Sequence, residues 1–164
     1  MGATPAPEPS QAGYAAIGLL NPKNPHNVGG ALRAAYCFGA ALVVISGSRY
    51  RVQRTDTANA YRFIPLLQVD DLHAAIPYDC VPVAIERHPA AIPLPVYVHP
   101  ERAFYVFGPE DGDLGRAVTR WCRDIVAIPS AHALNLAAAV NVVLYDRLAK
   151  RQLDLSRRDK NSAG

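Results

Sequence analysis

Ala103-Phe-Tyr-Val-Phe-Gly-Pro-Glu-Asp-Gly-Asp-Leu-Gly115 is an apolar run of strand length that ends in glycine and passes through a polar loop into a helical pattern. An unbroken apolar run bounded by Gly and Pro reads as a strand buried on both faces, as in a parallel sheet. The same pattern recurs along the chain. Ala15-Ala-Ile-Gly-Leu-Leu20 and Ala41-Leu-Val-Val-Ile45 read as strands, with a helix between them from Asn27 to Gly39, closed by glycine. Leu66–Val69 reads as a short strand that leads into a helix over Asp70–Ile76. Val81–Ile85 reads as another, and its Pro82 predicts an imperfect or edge start. Asp124–Ile128 is the last strand. A helix over Gly112–Cys122 precedes it, and a long helix over Leu134–Arg151 follows. The proline-rich stretch His88–Pro100 reads as a loop. Strands alternating with helices predict an α/β fold, with a mostly parallel sheet and helices on both faces.

The 164 residues suit one domain able to bury a core without disulfides. Residues 1–13 read as a disordered tail, 14–153 as the domain and 154–164 as a polar, frayed tail. The three cysteines are an odd number with no CxxC pair, so neither a disulfide framework nor a zinc site is indicated. A reduced, cytoplasmic setting fits, and no metal is expected. The start of the chain lacks the basic and apolar segments of a signal peptide, and no apolar stretch is long enough to span a bilayer. A formal net charge of +3 permits a polyanionic partner without requiring one.

From Leu134 to Tyr145 only Asn135 and Asn141 are strongly polar. A surface helix carries one apolar stripe. A helix apolar nearly all round needs a second burying surface, and in a chain this short a second copy supplies it. A homodimer is therefore expected.

Three segments carry chemistry. In Asn27-Val-Gly-Gly-Ala-Leu-Arg33, Arg33 lies off the apolar stripe, and the glycines sit at a helix start, where free N–H groups favour anions. The ordinary alternatives are a helix cap for Asn27 and a solvated surface for Arg33. In Phe107-Gly-Pro-Glu-Asp-Gly112, Gly108 permits close approach of a ligand to the backbone, and Glu110 faces a helix start. Capping by acids explains Glu110 without a ligand. In Ile128-Pro-Ser-Ala-His-Ala-Leu-Asn135, Asn135 is the one polar side chain at the start of an apolar helix, and a satisfied buried amide is its ordinary role. No GxGxxG and no Walker loop is present. A parallel sheet would gather the three loops at its carboxyl edge, where open α/β sheets bind ligands.

In order and wording these segments resemble the signature motifs of the SpoU (TrmH) branch of the SPOUT RNA methyltransferases. The first is Asn24-xx-Asn27-x-Gly29-xxx-Arg33 through Phe38-Gly39. The second is Phe107-Gly-Pro-Glu110 with Gly112, and the third is Ile128-Pro followed by Leu134-Asn135-Leu136 and an alanine-rich helix. The resemblance covers residues 15 to about 150 and is similar to the minimal, TrmL-like members. It implies a C-terminal trefoil knot, a rare exception to normal topology. It also implies S-adenosylmethionine as cofactor, RNA (tRNA or rRNA) as substrate, and methylation of a ribose 2′-hydroxyl by a homodimer. Ala84, Ile85, Glu86, Gly108, Pro109, Glu110, Gly112, Ile128, Leu134 and Asn135 would hold the cofactor. Asn27, Arg33, Glu110 and Asn135 match catalytic positions, with Arg33 reaching the partner's cofactor. One position departs: Ala133 stands where the family motif has serine.

Arg49, Arg51, Arg54 and Arg62, with Tyr50 and Tyr61 among them, follow the second strand, and Arg49, Arg51 and Arg54 are expected to hold RNA together with Arg33, because arginine and tyrosine grip phosphates and stack unpaired bases. A charged, solvated loop is the plain alternative. A catalytically silent, knotted RNA-binding module is the rival function. The missing serine favours that rival, and the intact Asn27, Arg33, Glu110 and Asn135 argue against it.

Overall fold

The computed structural model describes residues 13–47, 54–56 and 59–162. They form β1 (Tyr14–Leu20), α1 (Pro25–Cys37), β2 (Leu42–Ser46), β3 (Leu66–Val69), β4 (Val81–Ile85), β5 (Ile92–Pro93), β6 (Arg102–Phe107), α2 (Gly115–Thr119), β7 (Asp124–Ala127) and α3 (Leu136–Ser162). The strands make one sheet in the order β3-β2-β1-β6-β4-β7-β5, with each recorded pairing parallel. Residues 1–12 of the expected tail at 1–13 lie outside the described residues.

Alternation along the strands builds two cores. Ile17, Leu19, Val43, Ile45, Val83, Tyr105 and Phe107 face one side, where α1 and α3 cover them with Val28, Leu32, Val140, Val143 and Leu144. Ala16, Val44, Ala84, Phe104 and Val106 face the other side. They are covered by Leu114 and Val118 around α2 and by Leu72 beside a 3₁₀ turn at His73–Ala75. The two long helices therefore share one face. Gly30 makes this possible, because a Cβ there would lie 2.7 Å from the Cβ of Ala137. The glycine thus serves close helix packing.

Several elements differ from the sequence reading. The helix expected over Asp70–Ile76 is a single 3₁₀ turn at His73–Ala75, because Pro77 favours extended backbone at Ile76 and only eleven residues separate β3 from β4. The helix expected over Gly112–Cys122 is confined to Gly115–Thr119. The presumed loop at His88–Pro100 contains β5 and a 3₁₀ turn at Leu94–Val96. Pro82 lies in an inner strand. Its pairing with β7 begins only at Val83, so the proline sits at the strand's entry and not on a sheet edge. The polar stretch after Asp154, expected to fray, continues α3 to Ser162, and it carries no Gly or Pro to stop it.

A buried polar cluster ties α3 to the amino-terminal edge of the sheet. Arg147, 3% exposed, donates to the carbonyls of Pro100 (2.7 Å), Glu101 (2.8 Å) and Tyr14 (3.3 Å), and to the Tyr105 hydroxyl (3.1 Å). His99 sits between the Tyr105 hydroxyl (2.6 Å) and the Asp146 carboxylate (2.8 Å). An ionised Asp146 only accepts, so Nε2 of His99 carries the proton and Nδ1 accepts from Tyr105. Burial drives the His99 pKa down to about 4, against the upward pull of Asp146.

His99 is thus neutral in the fold, whereas in the unfolded chain it takes up a proton below its ordinary value of 6.5. The stability that His99 contributes should be fully present above pH 6.5 and lost as pH falls towards 4, by up to about 3 kcal/mol. Urea unfolding at stepped pH should show this decline. His99→Gln should lose the part above pH 5, where ordinary carboxylates are still ionised.

Candidate active site

The registers place Leu19 and Ile85 on either side of Phe107, and Val126 beside Ile85. The loops after β1, β4, β6 and β7 therefore leave the sheet at the same height. Between the last three lies an open cleft of about 130 Å³, walled by Ile85, Glu86, Arg87, Phe107, Gly108, Pro109, Glu110, Gly112, Ile128, Ser130, Ala133, Leu134, Leu136 and Ala139. Its wall combines backbone at Gly108–Gly112 and Ile128 with apolar side chains and two carboxylates.

Both carboxylates brace loops. Glu86 accepts from its neighbour's N–H, at Arg87 (2.7 Å), and from the N–H of Leu114 (2.9 Å), which closes the 108–114 loop onto β4. Glu110 accepts from the N–H groups of Lys23 (2.9 Å) and Asn24 (3.3 Å) and from the Asn27 side-chain amide (2.8 Å). Desolvation pushes the Glu110 carboxyl up. The bonds from Asn27, Lys23, its own N–H and Asn24 outweigh this and hold it below the ordinary range. The anion that the start of α1 attracts is thus the chain's own Glu110.

The cap of α1 is Asn24, whose side chain accepts from the N–H of His26, and the helix starts at Pro25, not at Asn27. Asn27 sits in the first turn, bonded to Glu110. Asn135 is no buried amide. It is exposed and caps α3, accepting at Oδ1 from the N–H of Ala138 (2.7 Å). Ser130 donates towards the His132 carbonyl (2.8 Å) or the Ile128 carbonyl (3.4 Å) and so tightens the loop that lines the cleft.

Of the residues expected to hold a cofactor, Ile85, Glu86, Gly108, Pro109, Glu110, Gly112, Ile128 and Leu134 line the cleft. Ala84 does not: its side chain is fully buried on the Phe104 face of β4. Asn135 adjoins the cleft without lining it. Arg33 is exposed on α1 and does not line the cleft of its own chain. Arg54 is exposed, in a segment held to the α1 start by the Thr55 hydroxyl, which donates to the His26 carbonyl at 2.7 Å. Arg49 and Arg51 lie outside the described residues. Sequence reading missed Arg87, Phe107, Ser130, Leu136 and Ala139. Phe107 is itself a strand end already identified, and Arg87 and Ser130 sit two residues past theirs. The last two share a helix face at i, i+3.

Residues 15–145 match the SpoU rRNA Methylase family, and the chain belongs to it. No curated protein matches the chain at the sequence level. Among solved structures, the SpoU methyltransferase AviRb from Streptomyces viridochromogenes is similar at TM-score 0.73 and 22% identity, covering 86% of this chain and 61% of its own. AviRb is also solved in complex with the cofactor AdoMet. The TrmH/SpoU tRNA modifying enzyme of A. aeolicus is similar at TM-score 0.76 and 16% identity, covering 85% of this chain and 76% of its own. A structure solved for insights into the 2-OH methylation of C/U34 on tRNA is similar at TM-score 0.72 and 23% identity, covering 87% of this chain and 98% of its own. The chain thus spans about three fifths of the length of AviRb. No helix among the described residues is long and apolar enough to cross a membrane.

Removing the cap at Asn135 should destabilise the fold by about 1 kcal/mol in urea unfolding, while Asn135→Asp should recover most of it. If Asn135 also acts on substrate, Asn135→Asp should be as stable as wild type yet slower in methyl transfer.

Proposed function

We propose that this protein methylates a ribose 2′-hydroxyl of tRNA or rRNA with S-adenosylmethionine, as a cytoplasmic homodimer acting through the domain 14–153. The observation that carries the reading is the convergence of family-matched segments, distant in sequence, on one cleft at the carboxyl edge of the sheet. Likeness to a protein solved with AdoMet, and to one concerned with 2-OH methylation of tRNA, supports cofactor and acceptor. The trefoil knot implied by the family is part of this reading.

The residues present fit the cofactor. Apolar walls at Ile85, Leu134 and Leu136 suit an adenine, open backbone at Gly108–Gly112 suits close approach, and the Glu86 and Glu110 carboxylates suit a nearby sulfonium. When bound, S-adenosylmethionine supplies the activated methyl group. The chain's task is to align the ribose oxygen and favour loss of its proton. Glu110 holds Asn27 and the first turn of α1 against the cleft and so sets where Arg33, two turns on, presents its charge. The guanidinium keeps its proton, so Arg33 acts by stabilising the forming alkoxide or by gripping the adjacent phosphate. Arg49, Arg51 and Arg54 hold the RNA in this reading.

Two features support the dimer. Among the described side chains of α3 only the stripe Leu136, Val140, Val143, Leu144 and Arg147 is buried, and Tyr145 remains 62% exposed. On α1, Tyr36 stacks on the exposed Phe63 at 5.2 Å. A second copy packed here would cover this apolar surface and bring Arg33 to a cleft that its own chain does not offer it.

Gly108→Val should abolish cofactor binding in calorimetry with the fold intact, because a Cβ there meets Leu114 at an ordinary 3.4 Å while the bulk is added to a residue that lines the cleft. Arg33→Ala should lower methyl transfer on the order of a hundredfold or more with cofactor affinity retained. Arg33→Lys should restore part of the rate if charge suffices, and none if a bidentate grip is needed. Near-normal transfer by Arg33→Ala would contradict the mechanism.

A further inference from the structure

Among the described residues that line the cleft, Arg87 is the only cation. It follows Glu86 at the end of β4. Its main chain is fixed, since its N–H donates to Glu86 at 2.7 Å and the next residues close a turn in which the N–H of Ala91 bonds the His88 carbonyl at 2.9 Å. Its guanidinium makes no hydrogen bond or ion pair among the described residues. The two acids of the wall do not take up this charge, because Glu86 is bonded to the backbone of Arg87 and Leu114, and Glu110 to the start of α1.

We propose that Arg87 binds the carboxylate of the aminoacyl end of S-adenosylmethionine and thereby orients the cofactor in the cleft. The inference rests on the cofactor reading given above. S-adenosylmethionine carries two cationic groups, the sulfonium and the ammonium, and one anionic group, its carboxylate. A wall with two carboxylates and one guanidinium complements that pattern. The acids favour the cationic centre of the ligand, and the guanidinium favours the anionic tip. Its planar fork matches a carboxylate through two parallel N–H donors. Anchoring both ends fixes the rotation of the cofactor about its long axis and hence the direction in which the methyl group points. Arg87 is therefore a positioning residue for transfer, and Arg33 remains the residue at the acceptor oxygen.

The test compares S-adenosylmethionine with its decarboxylated analogue, which keeps adenosine, sulfonium and ammonium and lacks only the carboxylate. Calorimetric affinities of wild-type protein, Arg87→Gln and Arg87→Lys close a cycle. Arg87→Gln should shift the preference for S-adenosylmethionine over the analogue by about tenfold towards the analogue. Most of that shift should come from weaker S-adenosylmethionine binding, and Arg87→Lys should keep part of the preference. Arg87 is an exposed loop residue, so matched thermal melts are expected for all three proteins. Equal weakening of both ligands in Arg87→Gln would overturn the proposal and assign Arg87 a structural role. Unchanged affinities for both ligands, with weaker binding of total tRNA, would overturn it in favour of an RNA phosphate contact. Wild-type protein that bound neither ligand would overturn the cofactor reading itself, and the inference with it.

Discussion

Everything at the candidate site hangs on the parallel register of β6 between β1 and β4. Phe107 is level with Leu19 on one side and Ile85 on the other, and Ile85 is level with Val126 of β7. Four chain segments far apart in sequence therefore turn out of the sheet together. An antiparallel strand in this position would send one of those loops to the opposite edge and dissolve the cleft. The register is enforced by burial on both faces, because a one-residue slip of β6 would exchange its Tyr105–Phe107 face with its Phe104–Val106 face.

Once the loops are level, carboxylates lock them in place. Glu110 holds the loop after β6 to the cap of α1, and Glu86 holds the far end of that loop to β4. These acids sit where general acid–base groups are often sought, yet their oxygens are engaged by backbone N–H groups. Glu110 stays ionised as a result. The chemistry left to the protein is orientation and electrostatics. That suits transfer of an already activated methyl group, in which the acceptor oxygen must be aligned and its negative charge accommodated.

The apolar strand runs and the three motif segments were legible in the sequence because burial on two faces and glycine-marked turns leave local signals. Those signals located the loops, and the resemblance to the SpoU family assigned Gly108, Pro109, Glu110, Gly112, Ile128 and Leu134 within them to the cleft. The role of Asn135 was legible only as a polar residue at a helix start, and its capping bond needs coordinates. What was not legible depends on three-dimensional partners. Asn24, not Asn27, caps α1, because the helix starts at Pro25, and Asn27 inside its first turn gives its side-chain N–H to Glu110 from a distant loop. Pro82 enters an inner strand because the β7 ladder starts one residue later. The pairing of Gly30 with Ala137 and the His99–Asp146 contact join positions more than forty residues apart, which no local pattern marks.

The central claim is that this carboxyl-edge cleft transfers a methyl group to a ribose oxygen. It is tested most directly by incubating the protein with methyl-labelled S-adenosylmethionine and total cellular RNA, then digesting the RNA to nucleosides and resolving them by mass spectrometry. The account predicts label in a 2′-O-methylated nucleoside, lodged on the ribose. Label on a base, or RNA that stays unlabelled while the protein binds it, would contradict the account, and the second outcome would favour a silent RNA-binding module.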